Sequence, residues 1–85
     1  MTTREECQRA IAIYESALLE FKNVESVAIV DDEDGHSVGI IVSRKIPYDD
    51  LEEDDLLPAY LQLIDSLKGV IRVKTRVIAR DDVNR

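Results

Sequence analysis

One histidine, His36, and one thiol, Cys7, are the residues in this sequence best suited to nucleophilic or general-base chemistry. Neither has the sequence company that such chemistry needs. A catalytic imidazole works with a nucleophile or an orienting acid, and a metal site draws on several ligands. His36 follows a turn and is expected to be exposed, whereas Cys7 falls on an apolar helical stripe and reads as a buried structural thiol. The run Asp31-Asp32-Glu33-Asp34-Gly35 has the look of a calcium loop. With Gly35 as the fixed glycine, however, the first ligand position falls on Val30 and the twelfth on Ile41, so a solvated hairpin turn is expected instead. The sequence has no glycine-rich phosphate loop, no Cys-x-x-Cys and no His-Glu-x-x-His. Adjacent acids such as Asp54 and Asp55 need a cleft with apolar walls to separate their pKa values for acid and base work. A chain with three tyrosines, one phenylalanine and no tryptophan is not expected to enclose one. The reading is therefore of a protein that is not an enzyme and that uses no cofactor and no metal.

Charge placement is more informative. Arg72, Lys74 and Arg76 alternate along one apolar stretch, concentrating positive charge against a net charge of −7. Two readings compete: a solvated sheet face neutralised by acids elsewhere, or a docking face for an acidic partner. Nucleic acid is disfavoured as a partner, because the global field repels phosphates and no aromatic residue interleaves the ladder. The second feature is the acidic connector 45–56, continued by Leu57 and Pro58, which carries Asp49, Asp50, Glu52 and Glu53. It reads as a crossover in which Pro47 ends a strand, Leu51 and Leu56 or Leu57 pin the segment to the core, and the acids keep it solvated. Its acids are also candidates for partner binding.

These features must be positioned by a small number of elements. Thr2 and Thr3 precede Glu5 and Glu6 at capping-box spacing, and Cys7, Ala10, Ile11, Tyr14, Ala17, Leu18 and Phe21 recur at steps of three and four, which predicts a helix over 3–22. Ile13 sits at the edge of that stripe and Leu19 well off it, both available to a partner. Strands are predicted over 24–31 and 37–44, joined at an Asp-Gly pair suited to a hairpin. Pro58, the stripe Tyr60, Leu63, Ile64 and Leu67, and a stop at Gly69 predict a second helix over 57–68. A last strand over 70–79 places Ile71, Val73, Thr75 and Val77 on one face and the ladder on the other. The fold class is thus α+β, a single domain over 1–85 in the order α-β-β-α-β, with two helices packed on one face of a three-stranded sheet. At 85 residues there is room for one modest core. A lone cysteine and no stretch approaching the roughly 20 apolar residues that cross a bilayer predict a cytoplasmic chain without an anchor.

The segment Ile40-Ile41-Val42-Ser43-Arg44-Lys45-Ile46-Pro47, then Leu51, Glu53-Asp54 and Leu57-Pro58, then Ile64-Asp65 and Gly69-Val70-Ile71-Arg72-Val73, resembles the small segment found beside trypsin-like serine peptidase domains. Asn23-Val24 and Val27-Ala28-Ile29 look like that segment's first strand, with its usual glycines replaced. The likeness spans residues 23–78 and departs from the family in two ways: a helix is expected between Leu-Pro and Gly-Val, and no peptidase domain is present in the sequence. It carries over no catalytic residue. What it implies is an accessory module, acting in trans on a peptidase or within another multi-component system.

The functional expectation is a non-enzymatic protein-interaction module, and the alternative is an acidic inhibitor in which Asp31–Asp34 and Asp49–Asp55 imitate nucleic acid phosphates. The ladder counts against the alternative, because a mimic benefits from continuous negative charge. With Val27, Ile29, Val38, Ile40 and Val42 under the helices, Ala28, Val30, Gly39 and Ile41 are left on a bare sheet face. That predicts a homodimer through the face or an edge strand, with the cations at its rim.

Overall fold

The computed structural model describes residues 2–33, 35–44, 46, 48–50, 52–53 and 56–80. Helix α1 (Arg4–Leu19) opens where the sequence places it: Thr3 accepts from the Glu6 backbone N–H at 3.2 Å, and Glu6 Oε1 accepts from the Thr3 N–H at 2.9 Å. This reciprocal cap satisfies two N–H groups that the helix itself cannot. The helix ends at the Glu20 cap, short of residue 22, and Phe21 then folds back onto the core.

Strand β1 (Val24–Asp32) and strand β2 (Gly35–Val42) form the expected antiparallel hairpin, with Val27 opposite Ile40 and Ile29 opposite Val38. The return strand starts and stops two residues earlier than 37–44. At its end the Asn23 side chain takes over from the ladder, donating to the Arg44 carbonyl at 2.6 Å while the Ser43 N–H donates to the Asn23 carbonyl at 2.8 Å. A 3₁₀ turn, Tyr48–Asp50, lies in the connector. Pro47, Leu51, Asp54 and Asp55 lie outside the described residues, and so does the expected anchoring by Leu51. Leu57 does pack against the core, whereas Leu56 is exposed.

The second helix over 57–68 is not formed. In its place strand β3 (Tyr60–Asp65) pairs antiparallel with β4 (Gly69–Ala79), which itself lies parallel to β2. Among the described residues the architecture is therefore the α-helix α1 and a four-stranded mixed sheet of order β1-β2-β4-β3, not two helices on three strands. The segment Tyr60-Leu61-Gln62-Leu63-Ile64 satisfies both periods, since Tyr60, Leu63, Ile64 and Leu67 recur at helical spacing while Leu61 and Leu63 alternate. The strand wins because β4, rich in β-branched residues, has a ladder edge to satisfy, and a hairpin partner satisfies it locally. Leu61 and Leu63 are buried opposite Val73 and Ile71, and Tyr60, Ile64 and Leu67 are exposed, Leu67 at 94%. The turn is closed by Asp65, whose Oδ1 accepts from the N–H groups of Leu67 at 2.8 Å and Lys68 at 3.1 Å. Gly69 follows at φ +80°, a conformation that side chains disfavour.

The core lies between α1 and one sheet face: Cys7, Ala10 and Leu18 meet Val38, Ile40, Val42, Leu61, Leu63 and Val73, with Ile11, Tyr14, Phe21, Val27, Ile29 and Ile71 packed around them. Helix α1 does not cover the whole face, and Val77 on the covered side stays 52% exposed. No described helix is long and apolar enough to cross a membrane.

Candidate interaction surface

The strand registers place Arg72, Lys74, Arg76 and Ile78 of β4 on the face away from α1, together with Tyr60, Gln62 and Ile64 of β3, Ser37, Gly39 and Ile41 of β2, and Ala28, Val30 and Asp32 of β1. The apolar part of this face closes over Gly39. A Cβ built there would lie 2.7 Å from Val30 Cγ1 and 3.5 Å from Ile78 Cδ1, so these two side chains lean together across the glycine from the flanking strands. Ala28 and Ile41 complete the strip, Ala28 exposed and Ile41 half-buried.

The cations beside it differ in their partners. Lys74 Nζ lies 3.5 Å from Asp32 Oδ2, and that oxygen also accepts the Ser37 hydroxyl at 2.9 Å. The Ser37 hydroxyl, then the Glu33 N–H, then the Lys74 charge hold the Asp32 carboxyl below the usual aspartate range. Arg72 stands opposite Gln62 and Arg76 opposite Gly39, and among the described residues neither arginine has an ion pair. The neutralising acid thus comes from the β1–β2 hairpin and reaches only the middle rung. Asp49, Asp50, Glu52 and Glu53 are exposed on the connector, and among the described residues Asp49, Asp50 and Glu53 have no ion pair with the ladder. Sequence reasoning anticipated the ladder but missed Asp32 and Ser37; their shared strand face, once the hairpin register is known, is the signal that finds them.

The remaining chemistry-bearing groups do not converge. His36 is half-buried rather than exposed, and its Nδ1 lies 3.1 Å from Asp31 Oδ1 without hydrogen-bond alignment. The Ser37 hydroxyl is committed to Asp32 on the opposite face. Cys7 is buried against the core, which pushes its thiol pKa up, with the Glu6 charge adding to the effect. Among the described residues no group of three or more His, Cys, Asp or Glu side chains is placed to hold a metal ion.

A second surface lies along the outer edge of β3. The Tyr14 hydroxyl donates to the Gln62 carbonyl at 2.7 Å, and Arg9 Nη1 reaches Asp65 Oδ2 at 3.3 Å. Between this edge and α1 runs an open groove of about 470 Å³, lined by Tyr14, Ala17, Leu18, Phe21, Pro58, Tyr60, Leu61, Gln62 and Arg72. No protein-family model, curated protein or solved structure matches this chain.

Proposed function

We propose that this chain is a non-enzymatic protein-interaction module whose uncovered sheet face docks an acidic surface on another protein. The observation that carries the reading is the pairing of an apolar strip, Ala28, Val30, Ile41 and Ile78, with Arg76, a cation that has no ion pair among the described residues. Apolar centres rimmed by unspent charge are the usual composition of docking sites, and the charge selects the partner more than it tightens the complex. The resemblance over residues 23–78 supports a partner belonging to a trypsin-like peptidase or another multi-component system. A homodimer through the same face is the rival arrangement. Stacking two copies sets ladder near ladder, and Asp32, the acid that the hairpin brings to the ladder, already serves Ser37 and Lys74, so an acidic partner of another kind fits better. Tagged chain should retain a partner that is released by roughly 0.5 M salt, where screening acts within about 4 Å, and that is lost on Arg76→Glu and on Ile41→Asp with the fold intact. Retention by both variants, or a dimer mass in light scattering that persists at nanomolar dilution, contradicts the reading.

A further inference from the structure

We infer that the groove between α1 and the outer edge of β3 binds an extended peptide strand in which apolar and acidic residues alternate. The inference is independent of the sheet-face reading and concerns a different surface. The Thr75 N–H donates to the Ala59 carbonyl at 3.0 Å, so the backbone groups of residues 59, 61 and 63 point toward β4. By strand alternation those of Tyr60, Gln62 and Ile64 point outward, and the Tyr14 hydroxyl on the Gln62 carbonyl bears this out. Among the described residues that hydroxyl is the only partner found for the outward row, which leaves the Tyr60 N–H and carbonyl and the Gln62 N–H along the groove. Unsatisfied edge groups beside a helix are the setting in which a peptide adds as a further strand.

The side chains around that edge specify the peptide. Arg9, Ile13 and Ala17 repeat every four residues and form one row along the helix. Arg9 meets Asp65 at one end of β3, and Ala17 and Phe21 line the groove, so Ile13, 62% exposed, stands on the same wall. An added strand turns alternate side chains toward this apolar wall and the others toward the open sheet face. On the open side it meets Arg72, which lines the groove and is without an ion pair among the described residues. Apolar residues toward the helix and carboxylates toward Arg72 follow from that geometry. A neighbouring depression of about 200 Å³ shares Tyr60 and Arg72 and adds Lys74 together with its partner Asp32, so Arg72 is the cation left to meet the peptide's carboxylates.

The probes are two fluorescent, end-blocked octapeptides, one alternating valine with glutamate and one alternating valine with lysine. The valine–glutamate peptide should bind at least about tenfold more tightly, as expected for charge-selected docking, and Arg72→Glu should reverse that order. Gln62→Pro, which removes only an outward N–H, should weaken both peptides while the chain stays folded. Ile41→Asp and Arg76→Glu should leave binding unchanged. Amide shifts on binding should fall on residues 13–21 and 60–64. Equal affinity for the two peptides, shifts confined to β1 or to the Gly39 strip, or amides of Tyr60 and Gln62 already protected from exchange in the free monomer would each overturn the inference.

Discussion

The Tyr14 hydroxyl donates to the Gln62 carbonyl across 2.7 Å, joining the middle of α1 to the outer edge of the sheet. The phenol packs its ring against the core and spends its polar end on an acceptor that no strand satisfies. Tyr14→Phe should therefore cost about 0.5–1.5 kcal/mol and raise amide exchange along β3. Urea midpoints and exchange rates read both, and no change in either would mean that water satisfies the carbonyl equally well.

The strand in place of a helix after Pro58 is open to a direct check. Leu61→Ala and Leu63→Ala should each cost about 2–5 kcal/mol, as buried truncations do, whereas Ile64→Ala and Leu67→Ala should stay within about 0.5 kcal/mol. A helix would reverse the ranking between Leu61 and Leu67. Denaturant midpoints of the four variants separate the two periods.

The contact of Val30 over Gly39 predicts a coupled pair. Gly39→Ala places a methyl 2.7 Å from Val30 Cγ1 and 3.4 Å from the Ala28 carbonyl, and it should destabilise by about 1–3 kcal/mol. Val30→Ala should recover most of that loss in the double variant, because the two sites share one contact. Additive losses would place Val30 on the other face and return the apolar strip to the core.

Acid stability depends on Asp32 and Asp65. Ser37, Glu33 and Lys74 lower the first carboxyl; the Leu67 and Lys68 N–H groups, with Arg9, lower the second. A depressed carboxyl contributes its full stabilisation above its unfolded pKa of about 3.9 and loses it as pH falls through the lower folded value. Urea midpoints should hold between pH 7 and 5 as far as these groups are concerned and decline below about pH 4. The double variant Asp32→Asn, Asp65→Asn should decline less steeply there; an identical decline would assign acid unfolding to other groups.

Much of the fold was legible in the residues themselves. The capping box at Thr3 and Glu6, the stripe from Cys7 to Leu18 and the alternation of Val38, Ile40 and Val42 each have one physical solution, and the structure adopts it. The segment from Tyr60 to Leu67 has two solutions within a few residues, and only the long-range demand of β4 for an edge partner chooses between them. The ladder could be placed on one face from spacing alone. The groove could not, because it exists only once β3 is a strand and Tyr14 reaches its edge.

The central claim is that the uncovered face docks another protein through its apolar strip and Arg76. Photocrosslinking in the native cell from benzoylphenylalanine installed at position 41, with position 67 on the β3–β4 turn as control, tests it most directly. The account predicts a discrete adduct with a different, acidic polypeptide at position 41 only, abolished by Arg76→Glu. No adduct at position 41, an adduct indifferent to Arg76→Glu, or an adduct of the chain with itself alone would contradict it.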